Sequence, residues 1–259
     1  MINIEYFDKG KDKTIVMVHG LTQSRKIYNK QVEYFNDHYN LVLVDLRGHG
    51  SSSDLPGPFG IKEYTDDLED VLKSLSLEQV IFWGTHTGSS IGLNLFLRNR
   101  QYISVLIFES IVIPGFHTPY INSTIGRTRN ILEDAGLEEA IDEWLINSKW
   151  FKYMRDNPKE CRYFDHKKII EEFSGNPWLS ELIPERVENA ADRLGEIDIP
   201  VLAYNGQHDL EEFYNMTKAL SANLNVTVKV IEDAGGFPLW ENPEIVNSVI
   251  FKWLQKGNK

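Results

Sequence analysis

The chain holds one cysteine in 259 residues, Cys161, so no disulfide can close within it, and a reducing compartment is its natural setting. It holds no apolar run near the roughly 18 residues that a membrane-spanning helix needs, and its opening stretch, MINIEYFDKGKDK, has no apolar signal core. Positive charge is scarce: 27 Lys and Arg stand against 38 Asp and Glu, a formal net charge of −11. Non-specific nucleic-acid binding and docking on anionic lipid both need Lys/Arg clusters, so neither is expected. The pair Lys167-Lys168 reads as a solvated helix face. There is no internal repeat and no low-complexity tract. None of His19, His38, His49, His86, His117, His166 and His208 forms a metal-spaced pair on one helix face. The glycine-rich patches lack the spacing of nucleotide loops, so no metal, nucleotide or flavin cofactor is expected. From these exclusions a soluble, cytoplasmic protein is expected. Its oligomeric state is open.

What is present is a core-forming composition, 42% hydrophobic and 12% aromatic. Short β-branched runs alternate with amphipathic stretches. Strands are expected at 2–7, 14–19, 40–45, 79–84, 104–110, 199–206 and 226–232, and helices at 26–37, 63–75, 88–100, 211–223 and 242–256. From the second onward most of these strands are nearly all apolar, as in a mainly parallel sheet buried on both faces. In 63–75, Tyr64, Leu68, Val71, Leu72 and Leu75 share one helix face. DKGKDK between the first two strands reads as a polar hairpin turn. The alternation predicts an open, doubly wound α/β sheet. From Ile111 to Glu196 no good strand occurs, and Trp144, Trp150, Phe151, Tyr153, Phe164 and Trp178 crowd a helical stretch too long for a loop. We expect a helical lid over 111–196 inserted into a core made of 1–110 and 197–259, with most of those aromatics forming the lid's own core. Cys161, in NPKECRYFD within this segment, reads as an incidental cysteine.

In such a sheet, ligands sit beyond the carboxyl ends of the strands. There the stretch FWGTHTGSS (82–90) ends a strand, turns on Gly84 and Gly88 and enters a helix. That strand-turn-helix context is the one a nucleophile elbow requires, yet its centre is His86 where a serine would stand. Ser89 and Ser90 fall inside the helix start and are poor nucleophile candidates.

Nearly end to end, the chain resembles the α/β-hydrolase family. VHGLT (18–22) looks like that family's oxyanion loop, and LVLVDLRGHGSSSD (41–54) like its strand and turn D-x-R-G-x-G-x-S. YTDDLEDVLKSLSLEQVIFWGTHTG (64–88) looks like the helix and strand leading into its elbow. IPVLAYNGQHD (199–209) looks like the strand bearing its acid, and EDAGGFPLWENPEIV (232–246) like the loop bearing its histidine. The resemblance implies an α/β-hydrolase fold with a lid, an oxyanion hole from the Leu21 and Thr87 amides, and Asp209 as the acid. His19 and His49 match turn positions of the family and are expected to bond backbone. The resemblance also marks a departure. Where the family has Gly-His-x-Pro, this chain has Gly235-Gly236-Phe237-Pro238, so the general base is missing.

Glycine at 236 removes one imidazole from the pocket, and His86 brings one in. A His86–Asp209 dyad is therefore expected, with the aspartate fixing the ring tautomer. Such a dyad could activate water, take a proton from a substrate whose anion the oxyanion hole holds, or attack an acyl carbon. Cofactor-free dioxygenases of this superfamily are similar in using a His–Asp pair as base. The expected substrate is small, largely apolar and carbonyl-bearing. The alternative is a catalytically inactive relative that binds a small molecule in the same pocket.

Overall fold

The apolar runs become the strands of one sheet. The computed structural model describes residues 1–158 and 162–257, and Cys161 lies outside the described residues. The strands are β1 (Ile4–Phe7), β2 (Thr14–Val18), β3 (Asn40–Val44), β4 (Val80–Thr85), β5 (Ile103–Glu109), β6 (Val201–Gly206) and β7 (Val226–Ile231). They form a seven-stranded sheet in the order β1-β3-β2-β4-β5-β6-β7. All neighbours run parallel except β1, which pairs antiparallel with β3. β2, β3, β4 and β6 are buried along their whole length, the pattern of strands covered on both faces. Period-two alternation divides each strand between two cores. Val16 and Val18 face one cluster, with α2 (Ile61–Ser74) and α3 (Thr87–Arg98). Ile15 and Met17 face the other, with α1 (Asn29–Phe35) and the last helix of the chain.

Two local expectations fail. DKGKDK is not a hairpin turn, because β1 lies against β3 and not against β2. Its backbone bonds go to Asn40 at the start of β3: Lys9 and Lys11 donate to Asn40 Oδ1, and Asn40 Nδ2 donates to the Lys11 carbonyl. A buried asparagine thus carries the loop past β2 to the sheet edge. β7 is half exposed rather than doubly covered, since it is the opposite edge strand.

Between β5 and β6 the described residues form no strand. They form α4 (Pro119–Ala135), α5 (Leu137–Asp142), α6 (Lys152–Asp156), α7 (Arg162–Glu171) and α8 (Asn176–Leu179). Trp144, Trp150, Phe151 and Trp178 are buried there, with ring centroids of Trp144 and Trp150 4.7 Å apart and those of Trp144 and Trp178 5.5 Å apart. Phe164 instead faces solvent. After β6 come α9 (Glu211–Leu220), then β7, α10 (Pro238–Glu241) and α11 (Pro243–Lys256). No helix among the described residues is long and apolar enough to cross a membrane.

Candidate active site

β4 ends at Thr85 and α3 begins at Thr87, so one residue makes the whole turn. That residue, His86, has φ 48° and ψ −114°, a conformation that strains any side chain bearing a Cβ. The flanking glycines are steric necessities. A Cβ on Gly84 would stand 2.5 Å from the Gly88 carbonyl carbon, and one on Gly88 would stand 2.1 Å from the Val18 carbonyl oxygen. The elbow is therefore built as for a nucleophile, around an imidazole. Thr87, first in its helix, has an N–H with no intrahelical acceptor. Ser89 and Ser90 are committed to structure: Ser90 Oγ donates to the Val112 carbonyl, and Ser89 Oγ bonds the His86 carbonyl and accepts from Val112 N–H.

The imidazole does not reach Asp209. Its Nδ1 lies 2.8 Å from Thr85 Oγ1, and that hydroxyl lies 2.8 Å from Oε1 of Glu109. Nε2 is buried and makes no hydrogen bond of normal geometry, with the Gly236 backbone nearby. Phe213 and Phe237 pack on the ring, with centroids 4.9 and 4.8 Å away. Burial in this apolar surround pushes the His86 pKa down to about 3, so the ring is neutral at physiological pH. Glu109, at the end of β5, is fully buried. Its Oε2 accepts from Leu239 N–H at 2.7 Å, and Tyr204 also bonds its carboxyl. Burial pushes its pKa up to about 8, outweighing these hydrogen bonds.

Asp209 is held elsewhere. Its Oδ2 accepts from Ser110 Oγ at 2.6 Å and Asn205 Nδ2 at 2.9 Å, and Oδ1 accepts from Leu210 N–H at 2.7 Å. Desolvation raises it to about 6 against these donors. It lines a cavity of about 560 Å³, with Tyr120, Lys149 and His208, that His86 does not line. The direct His86–Asp209 hydrogen bond expected from the sequence is absent, because each partner is engaged by another residue.

The space at Gly236 is set by the helical segment. A Cβ there would stand 2.8 Å from the Trp150 carbonyl oxygen, so backbone of the helical segment occupies that space. Glu241 pins the loop from below, with Oε2 accepting from Gly235 N–H and Oε1 from Phe237 N–H, both at 2.9 Å.

Residues 13–243 match the family described as alpha/beta hydrolase fold. The chain belongs to that family. Among its relatives is a putative carbamate hydrolase RutD of Rhizobium rhizogenes, 26% identical over 254 residues that cover 96% of this chain and 95% of the relative. Another is strigolactone esterase D14 of Arabidopsis thaliana, 22% identical, covering 93% of this chain and 92% of that one. Among solved structures, MenH from S. aureus superposes with a TM-score of 0.85 at 21% identity, covering 100% of both chains. A thermophilic esterase from Thermogutta terrifontis gives 0.82 at 23% identity, covering 100% of this chain and 95% of that one.

Against the alpha/beta hydrolase pattern, several residues that sequence reading passed over prove central. Glu109 and Thr85 carry His86; the only trace of this in the sequence is a carboxylate closing an apolar strand, SVLIFES. Ser110, in an unusual φ of 45°, and Asn205 hold Asp209. His166 of α7 enters the same buried space, with its ring 4.7 Å from Phe237. Gln23, in the turn after β2, accepts from Gly20 N–H through Oε1, so its amide nitrogen faces His166 Nε2 at 3.0 Å. His166 Nε2 is then the acceptor, and its unpartnered Nδ1 carries the proton. Burial, with His86 nearby, holds its pKa near 3. The remaining histidines are structural or peripheral. His19 Nδ1 bonds the Gly20 carbonyl while its Nε2 accepts from Leu46 N–H, and His49 Nδ1 bonds the Arg47 carbonyl. His208 stacks on Tyr153, with ring centroids 4.2 Å apart. No group of three or more metal-ligating side chains occurs among the described residues.

Proposed function

We propose that this alpha/beta hydrolase family member binds a small, largely apolar, carbonyl-bearing compound beneath a lid formed by residues 111–196, and that its elbow recognises the carbonyl without attacking it. The observation that carries this reading is the Glu109–Thr85–His86 chain, with both links at 2.8 Å. With a pKa of about 8, Glu109 is mainly protonated at neutral pH. Its O–H can then donate to Thr85, Thr85 donates to His86 Nδ1, and Nε2 carries the ring proton. An Nε2–H together with the Leu21 and Thr87 amides makes a set of donors. Such a set suits a carbonyl oxygen and contains no base. The carbamate hydrolase and the esterase named above also act, by their names, on carbonyl compounds.

A second reading keeps the His86–Asp209 dyad for hydrolysis or proton abstraction, with Leu21 and Thr87 as oxyanion hole. It is favoured by Asp209, whose carboxylate is raised to about 6 and lines an open cavity, but it requires His86 to leave Thr85. One comparison decides. Wild type, His86→Ala and Asp209→Asn are assayed on p-nitrophenyl acyl esters and, by thermal shift, against a panel of neutral esters, lactones and amides. The binding reading expects no ester turnover above His86→Ala, and ligand protection that His86→Ala loses and Asp209→Asn keeps. Turnover abolished equally by both substitutions would establish the dyad instead.

A further inference from the structure

A cavity of about 640 Å³ opens at the amino ends of the strands, the end of the sheet away from the elbow. Lys13 before β2, Lys229 in β7 and Lys252 and Lys256 on α11 line it, with Tyr39 and Trp253 as aromatic surface. No Asp or Glu among the described residues lines it, in a chain of net charge −11. Other cavities that hold cations also hold acids: Lys149 and Lys152 share theirs with Asp156, Glu211 and Glu212, and Arg25 and Lys26 share theirs with Asp45 and Glu172. Lys229, Lys252 and Lys256 make no ion pair among the described residues.

Ordinary roles account for the lysines only singly. A cation in the last turn of α11 complements the helix dipole, and a lysine on edge strand β7 discourages strand pairing. Neither explains why the lysines of β7 and α11 converge on one cavity that no described Asp or Glu lines. Lys252 and Lys256, four apart on one helix, even repel each other. The indole of Trp253 is fixed by its Nε1–H donating to Thr227 Oγ1 at 3.2 Å, so the aromatic surface is rigid.

We propose that this cavity is a second binding site, separate from the elbow, for an amphipathic organic anion. An aromatic body lies against Tyr39 and Trp253, and a phosphate, sulfonate or carboxylate head meets the lysines. The volume falls in the range of small-molecule sites, and an apolar body flanked by ammonium groups gives both contact area and charge complementarity.

The test is calorimetric and fluorimetric titration of the full chain with 1-naphthyl phosphate, with uncharged 1-naphthol as control. The expected result is one site for the phosphate, quenching of tryptophan emission, and affinity that falls as salt is raised. In the double variant Lys252→Gln/Lys256→Gln, both exposed and remote from the core, phosphate affinity falls about tenfold while naphthol is unaffected. His86→Ala binds the phosphate as wild type does, whatever becomes of the elbow reading. The proposal is overturned if the phosphate does not bind at millimolar concentration, if naphthol binds as well, if the lysine variant binds unchanged, or if His86→Ala abolishes binding.

Discussion

Glu109→Gln separates a buried neutral acid from a buried charge. Glutamine keeps a carbonyl oxygen for Leu239 N–H and offers an N–H₂ toward Thr85 Oγ1, so it mimics the protonated side chain in shape and bonding. The wild-type carboxyl sits near 8 against an ordinary 4.5, because burial outweighs its hydrogen bonds. The sign follows from proton counting. Between these two values the folded state holds a proton that the unfolded state has lost, so stability falls as pH rises and the fall ends once pH exceeds the folded value. From pH 6 to pH 9 this one group removes about 2–3 kcal/mol. For a chain of this length that is about 5–10 °C in melting temperature. Glu241, raised to about 7, and Asp209, raised to about 6, add losses of the same sign, but they are common to both proteins and cancel in the comparison. Melting curves of wild type and Glu109→Gln at half-unit steps from pH 6 to pH 9 make the assay. Because the unfolded carboxyl is already ionised at pH 6, the variant should lead wild type by about 2 kcal/mol there, and the gap should widen to about 4–5 kcal/mol by pH 9. Parallel curves would mean that Glu109 is ionised in the folded state, and the assignment of a proton to His86 Nε2 would fall with it.

Three further outcomes follow from the same geometry. Thr85→Val keeps the shape but leaves His86 Nδ1 and Glu109 Oε1 without their partner, and should cost about 2–4 kcal/mol in urea unfolding at pH 7. An unchanged midpoint would show that the chain of bonds carries no energy. His166, held near 3, must gain a proton on unfolding in acid, so its contribution is present above about 6.5 and is lost as pH falls toward 3. His166→Gln should therefore shrink the loss between pH 7 and pH 5 by about 2 kcal/mol, and an acid limb identical to wild type would refute the burial of a neutral ring. The double variant His86→Ser/Gly236→His should gain no esterase activity, because its new Cβ meets the Trp150 carbonyl at 2.8 Å; robust turnover would show that the helical segment yields easily.

The fold was legible because its signals are local. β2, β3, β4 and β6 are buried on both faces and so read as unbroken apolar runs, and Gly84 and Gly88 mark a turn that tolerates no Cβ. The position of β1 was not legible, because the bonds from Lys9 and Lys11 to Asn40 span about thirty residues and leave no periodic trace. The site divides in the same way. His86 and Gly236 could be identified as departures by position along the chain. What His86 does with its ring depends on Glu109, 23 residues away on a neighbouring strand, and on Thr85, which any strand reading takes for a β-former.

The two departures do not compensate each other in the way their chemistry suggests. An imidazole expected at 236 and present instead at 86 suggests a swap across one pocket, with Asp209 as shared partner. The structure gives each change its own cause. Gly236 is glycine because backbone at Trp150 lies where a side chain would begin. His86 fits because Thr85 and Glu109 offer its Nδ1 a bonded chain, while Phe213 and Phe237 cover its faces. Asp209, left without an imidazole, keeps three donors of its own in Ser110, Asn205 and Leu210. A half-buried carboxylate satisfied three times has little to gain from a fourth bond, and a neutral ring held at Nδ1 has no proton to offer Asp209 from that side. Any ligand that recruited them as a pair would have to displace Thr85 from the ring and desolvate further a carboxylate already raised to about 6. That cost favours the proposed reading, a fixed donor at the elbow, over a mobile base.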